Sequence, residues 1–254
     1  MAITYARDEQ GIVTLTMDLL GRSANVLNDE FTTALAAMLD RIERDEDVPG
    51  VILTSAKQHF MTGADIDAAF RSDDPHSYFE MAQAIKALLR RLETLPKPVV
   101  AALNGTALGG GLDLALACHH RIALSEERLQ LGFPEVGLGL LPGAGGVVRT
   151  VRLIGLQPAL EWLTRNRKYT PRQALDAGMI DALAGDADEL LDQARAWIAT
   201  NPDAQAPWDR GKRYAIPGGG PDHPAIAPLL AIAPAIIRKE TRGNYPAPPA
   251  ILAA

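Results

Sequence analysis

Two carboxylates and two bare stretches of backbone are the parts of this chain best suited to chemistry. Asp113 follows the three consecutive glycines of "LGGGLDLALACHH" (108–120), and Glu135 sits in "LGFPEVGLGLLPGAGG" (131–146), held by Pro134 among apolar and glycine residues. A carboxylate in apolar surroundings is costly to ionise unless it is paired, and its raised pKa is what a general acid requires. The glycines stand where an apolar strand gives way to a helix, and the first N–H groups of a helix have no partner within it. Such N–H groups suit a negative oxygen, either of a phosphate or of a carbonyl that becomes an oxyanion during reaction. A second set of donors lies in "HFMTGADI" (59–66), after the apolar strand "GVILTSA" (50–56) and at the end where open α/β sheets bind ligands. Loops around Ala64 and Gly110 can thus present one N–H each to a single oxygen. The plainer readings of the same residues are a tight strand-to-helix junction without a ligand, a Glu135 that caps a turn and a solvated Asp113.

Several other chemistries find no support. No Lys-Ser or Lys-Thr follows the glycines, as a P-loop requires, and "GLGLLP" (137–142) puts Pro142 where a dinucleotide fingerprint needs its third glycine. No His or Cys pair has the spacing of a metal site, and no G-x-S-x-G is present. His119 and His120 close an apolar helix, where cations meet its dipole favourably. The single cysteine, Cys118, reads as a small buried apolar residue and leaves no intrachain disulfide to form. Arg149, Arg152, Arg165, Arg167 and Lys168 are a basic cluster, either a solvated face or a partner for the phosphates of an anionic ligand.

The elements that must hold these residues alternate between strand and helix. "GIVTLTMDL" (11–19) sets Val13, Leu15 and Met17 against Ile12, Thr14 and Thr16, the period of a strand. "NDEFTTALAAMLDRIERDE" (28–46) puts Phe31, Leu35, Met38, Leu39 and Ile42 on one helical face, with Asn28 as N-cap. A second helix carries the stripe Phe79, Ala82, Ile85, Leu88, Leu89 and Leu92, and "KPVVAALNG" (97–105) and "RIALSE" (121–126) are further strands. This order predicts an α/β architecture with the sheet behind helices. After residue 200 the texture changes: 10 of the 18 prolines lie in 201–254, which reads as an extension laid over a surface and not a second core. The net charge of −6 argues against a nucleic-acid surface. With no leader-like start and no long apolar run, the expected location is cytoplasmic.

In order and spacing, "HFMTGADI", "KPVVAALNGTALGGGLDLALACHHRIA" (97–123), "LGFPEVGLGLLPGAGGVVRTVRLIG" (131–155) and "NRKYTPRQALDAGMIDALA" (166–184) resemble the signature segments of the crotonase superfamily of enoyl-CoA hydratases and isomerases. The resemblance covers residues 3–200. "SANVLNDEF" (23–31) and "YPAPPAILAA" (245–254) are similar, more narrowly, to the amino-terminal hydratase domain of multifunctional fatty-acid oxidation enzymes, in which a 3-hydroxyacyl-CoA dehydrogenase follows. It implies a spiral of repeated ββα units over 1–200, with 201–254 a partly helical carboxyl-terminal extension or linker to such a dehydrogenase. It also implies an oxyanion hole at Ala64 and Gly110, catalytic carboxylates at Asp113 and Glu135, and further substrate contacts at Gly63, Asp65, Ile66, Gly109 and Ala24. No metal or separate cofactor is implied, since coenzyme A is part of the substrate. Expected assemblies are a homotrimer or hexamer, or a domain of a larger chain with a thiolase partner.

One position departs from the pattern: the family has glutamate where this chain has Asp113. The lost methylene draws the carboxylate back by roughly an ångström, and a displacement of that order can cost about a hundredfold in rate. An aspartate at this position is also found among dienoyl-CoA isomerases of the family, so hydration of a 2-enoyl-CoA remains the first expectation and enoyl-CoA or dienoyl-CoA isomerisation is the second. A non-enzymatic binding or assembly domain is the third.

Overall fold

A computed structural model describes residues 2–65, 74–211 and 214–254. The alternating segment at 11–19 becomes the second strand of a six-stranded sheet, with Val13, Leu15 and Met17 fully buried. In spatial order this sheet is β1 (Ile3–Arg7), β2 (Val13–Met17), β3 (Val51–Ser55), β5 (Val99–Leu103), β7 (His120–Leu124) and β10 (Ala182–Ala184). Edge strand β1, which the sequence pattern had not revealed, runs antiparallel to β2, and all the other neighbours are parallel. Central strand β5, "VVAAL", is buried along its whole length, as expected of a parallel strand covered on both faces.

A second sheet is built from very short strands: β4 (Met61–Thr62), β6 (Ala107–Leu108), β8 (Leu131–Gly132) and β9 (Lys168–Tyr169). The first three are parallel, each arriving shortly after a long strand: β4 after β3, β6 after β5 and β8 after β7. The chain therefore winds as a spiral in which successive turns add one strand to each sheet. This is the expected crotonase-type ββα architecture.

Helix α1 (Asp29–Arg44) begins where the sequence indicates: the Asn28 side chain accepts from the Phe31 N–H at 2.9 Å, and Phe31, Leu35, Leu39 and Ile42 are buried. In α2 (Pro75–Glu93) only the carboxyl-terminal end of the anticipated stripe is core, with Leu89 and Leu92 buried and Phe79 56% exposed. The stripe's earlier part, Ala82 and Ile85, faces a cavity instead. The glycines open α3 (Gly110–Leu116), a buried helix. The helices that follow are α4 (Gly146–Ile154), α5 (Leu156–Thr164), α6 (Pro171–Asp176) and α7 (Ala187–Thr200). The Pro-rich region contains α8 (Ala227–Thr241) and α9 (Ala247–Ala253), and α9 packs on α5 and α8 with Ala247 and Ile251 in the main core. Among the described residues no helix is long and apolar enough to cross a membrane.

The histidine expectation is corrected. His119 Nδ1 accepts from the Val99 N–H at 2.9 Å while Nε2 meets the Glu93 carbonyl at 3.0 Å, an arrangement that suits a neutral ring. His120 belongs to β7 and stacks on Trp197 at 4.5 Å. Burial lowers the pKa of both, so neither acts as a cation on a helix dipole.

Candidate active site

The short sheet fixes the relation between the two donor loops. Met61 pairs with Ala107 and Thr62 with Leu108, so Ala64 and Gly110 each lie two residues beyond the same rung. A parallel bridge between Leu27 and Ala64 secures the first loop, in which the Leu27 N–H donates to the Gly63 carbonyl at 2.8 Å and the Asp65 N–H to the Leu27 carbonyl at 3.0 Å. That pattern skips the Ala64 N–H. Gly110 is the first residue of α3, so its N–H has no partner within the helix. Neither N–H donates to a group among the described residues. A Cβ on Gly110 would stand 3.5 Å from the Gly63 carbonyl carbon, which places the loops in contact.

Each glycine of the triplet makes room for something different. Gly109 has φ +53°, and a Cβ there would stand 2.4 Å from Glu135 Oε1. On Gly111 it would stand 2.2 Å from the Met61 carbonyl oxygen, so this glycine lets α3 lie against β4. The bare backbone thus serves a close fit of helix, strand and carboxylate, as well as access for a ligand.

Glu135 reaches Gly109 because β8 pairs with β6, Gly132 opposite Leu108, and the chain then turns through a 3-10 helix at Pro134–Leu138. Ala64, Gly110, Asp113 and Glu135 all line one cavity of about 420 Å³, whose apolar wall includes Leu27 and Ile85. Asp113 is 1% exposed, which overturns the solvated reading. Burial pushes its carboxyl up to about 7, against the charge of Arg149 and the amides of Ala144 and Gly146, and its Oδ1 makes no hydrogen bond. Glu135 is pushed up to about 8, first by burial and then by the charge of Asp113, and its Oε2 is likewise unpartnered. Two such groups titrate as a pair, an arrangement in which one carboxyl can donate a proton while the other accepts one.

Of the further contacts expected, Gly63, Asp65 and Gly109 line the same cavity, while Ala24 lies outside its lining. Ile66 falls outside the described residues. The Asp65 carboxylate meets Arg22 at 2.6 Å. The five basic residues do not form one face. Arg149 is buried on Glu93 at 2.8 Å, whereas Arg165 and Arg167 pair with Glu240 and Glu161.

Sequence reasoning missed Asn25, which is fully buried and ties three segments together. Its amide donates to the Met17 carbonyl, Ser55 Oγ and the Phe60 carbonyl at 2.9–3.3 Å, and its own backbone carbonyl accepts from the Thr62 N–H at 3.0 Å. A polar residue between Ala24 and Val26, in the stretch that leads to the Leu27 bridge, was the available signal.

A family model described as enoyl-CoA hydratase/isomerase matches residues 7–205. The chain belongs to the enoyl-CoA hydratase/isomerase family. The enoyl-CoA hydratase of Bacillus anthracis superposes with TM-score 0.72 at 31% identity, over 79% of this chain and 76% of that one. The enoyl-CoA hydratase of Thermoplasma volcanium GSS1 does so with TM-score 0.69 at 28% identity, over 79% and 76%. Among curated relatives, the fatty acid oxidation complex subunit alpha of Shewanella sp. (strain MR-4) is 37% identical over 250 residues, 97% of this chain and 34% of that protein. That of Idiomarina loihiensis is 39% identical over 180 residues, 70% and 25%. This enoyl-CoA hydratase/isomerase family member thus spans about a third of the length of such curated relatives.

Proposed function

We propose that this chain hydrates a trans-2-enoyl-CoA thioester to the 3-hydroxyacyl-CoA, a step of fatty-acid β-oxidation. The observation that carries the reading is the convergence of two backbone N–H groups and two carboxyls with raised pKa on a single cavity. The Ala64 and Gly110 N–H groups receive the thioester oxygen as it gains enolate charge, and each such donor is worth about 3–4 kcal/mol in the transition state. Polarised in this way, the double bond accepts water at Cβ and a proton at Cα. Glu135, beside Gly109 and therefore beside the hole, is the principal acid/base. Asp113 is the second carboxylate, which helps to hold the water and share its proton. The π bond is replaced by a C–O bond at Cβ and a C–H bond at Cα, both from water and with no net oxidation or reduction, so the step calls on no redox group. Coenzyme A enters as part of the substrate.

The test is Glu135→Gln assayed with crotonyl-CoA. Hydration is expected to fall at least a hundredfold, and a wild-type rate in the variant would remove Glu135 from this role. Isomerisation is the second reading, favoured by the deep burial of the shortened Asp113. Conversion of a 3-enoyl-CoA without measurable water addition would put it first. Similarity to alpha subunits of fatty acid oxidation complexes supports a place for this domain within a larger assembly. Sedimentation of the purified chain, alone and with a thiolase, tests that.

A further inference from the structure

Among the described residues, the hydratase reading leaves a buried ion pair beside the site without a role. Arg149, on α4, is 6% exposed, and its partner Glu93, at the end of α2, is 4% exposed. Arg149 Nε donates to Glu93 Oε1 at 2.8 Å and Nη2 to Oε2 at 3.3 Å, while Nη1 donates to the Ala144 carbonyl at 2.9 Å. Glu93 in turn accepts from Arg90 at 2.7 Å, and Arg90 makes a double hydrogen bond to Asp209 at 2.8 and 2.6 Å. Buried pairs of this kind are weak sources of stability, yet removing one partner strands the other charge.

The neighbouring glycines show what the pair adjoins. A Cβ on Gly145, where φ is +106°, would stand 2.4 Å from Arg149 Nη1. On Gly146 it would stand 2.2 Å from Asp113 Oδ1. One glycine is therefore bare for the guanidinium and the next for the catalytic carboxylate, with a single peptide link between them. We propose that Arg149 is a positioning residue for hydration: clamped by Glu93, it holds the Ala144–Gly146 turn against Asp113 and supplies a buried positive charge that acts on that carboxylate.

The charged and titratable groups around this cluster come from every element packed there. They are Glu93 and Arg90 on α2, Asp113 on α3 with Cys118 and His119 just after it, Arg121 on β7, Glu135 on the 3-10 turn, and Asp209. The Arg149 charge pulls Asp113 down, against burial. Its removal therefore raises the pH at which Asp113 ionises, and removal of the Glu93 countercharge lowers it.

The proposal rests on the hydratase reading for its kinetic arm only. Arg149→Met and Glu93→Gln are compared with wild type by the pH profile of crotonyl-CoA hydration and by carboxyl carbon-13 NMR titration of aspartate-labelled protein. The Asp113 limb is expected to move up by about one pH unit in Arg149→Met, and down in Glu93→Gln by a similar or smaller amount. Opposite displacements support the proposal, and a role confined to stability would not produce them. Displacements in the same direction, or none, overturn it. If Arg149→Met does not fold, the near-isosteric Glu93→Gln decides alone, by the presence or absence of the downward move. Because the NMR titration reads Asp113 directly, a wild-type protein that fails to hydrate crotonyl-CoA overturns the functional reading and leaves this one to be judged on its own.

Discussion

Replacing Gly109 by alanine tests the site at its tightest point. The new Cβ would stand 2.4 Å from Glu135 Oε1 and 3.1 Å from its Cδ, and the three nearest atoms all belong to that one side chain. Ordinary contact requires about 3.5 Å, so the carboxylate must retreat by about an ångström. A retreat of that size in a group that transfers a proton costs about a hundredfold in kcat, or about 2.7 kcal/mol. The backbone adds a second cost, since φ +53° and ψ −123° at position 109 suit glycine alone, and strain of this kind is worth about 1–3 kcal/mol. For a chain of this length that lowers Tm by about 2–12 °C. Crotonyl-CoA hydration is followed by loss of the conjugated thioester absorbance, with thermal melting in parallel. Gly220→Ala serves as the control, because a Cβ there meets nothing within 4 Å and its φ is not positive. A Gly109→Ala protein that melts cooperatively and retains a kcat within threefold of wild type would refute the claim that Glu135 works from the position seen here.

Other expectations follow from the same geometry. With the pair raised to about 7 and about 8, kcat/KM should rise with pH through the lower value as one carboxyl ionises and fall through the upper as the second loses its proton; a flat profile from pH 6 to 9 would contradict the pair. The same shifts govern stability. Both folded values lie above the unfolded ones of about 4, so the stability these groups contribute is fully present below pH 4 and is lost as pH rises through about 7 and 8. Asp113→Asn should therefore melt higher than wild type at pH 8, with a smaller gain at pH 5, while hydration is largely lost. Asn25→Ala removes a buried amide with three acceptors and leaves the Leu19 N–H without the Oδ1 it donates to. The expected cost is about 2–4 kcal/mol by denaturant titration, together with a lower kcat because the side-chain tie to the Phe60 carbonyl, just before the Ala64 loop, is lost.

Much of this arrangement was legible in the sequence because it rests on local rules. The alternation in 13–17, the Asn28 cap and the unbroken apolar run of β5 each named an element that the structure contains. The motif segments led to Ala64, Gly110, Asp113 and Glu135 before their geometry was known, and one cavity brings the four together. What stayed hidden depends on partners far away in the chain. Strands of two residues have no period to detect, so the small sheet that aligns the donors could not be read. Strand β1 lacked a clear pattern because it is an edge strand with one buried residue, Ile3. The stripe on α2 showed which face is apolar but not that two of its residues, Ala82 and Ile85, border a cavity. Arg149 looked like part of a basic surface because its countercharge, Glu93, lies 56 residues away.

The two-residue strands also determine how this site can change. Each position of the candidate site is counted from a rung of the short ladder: Ala64 from Thr62, Gly110 from Leu108, and Glu135 from Gly132. A residue inserted between a rung and its reacting group would turn that group out of the column, whereas one inserted before the rung would be absorbed by the connection from the long strand. Insertions and deletions in the surface part of the β7–β8 link, 126–128, should therefore be tolerated far better than any at 62–64, 108–110 or 132–135. A lineage built on this spiral can vary its linking segments, and with them the shape of what it accepts, while the atoms that handle the proton stay in alignment.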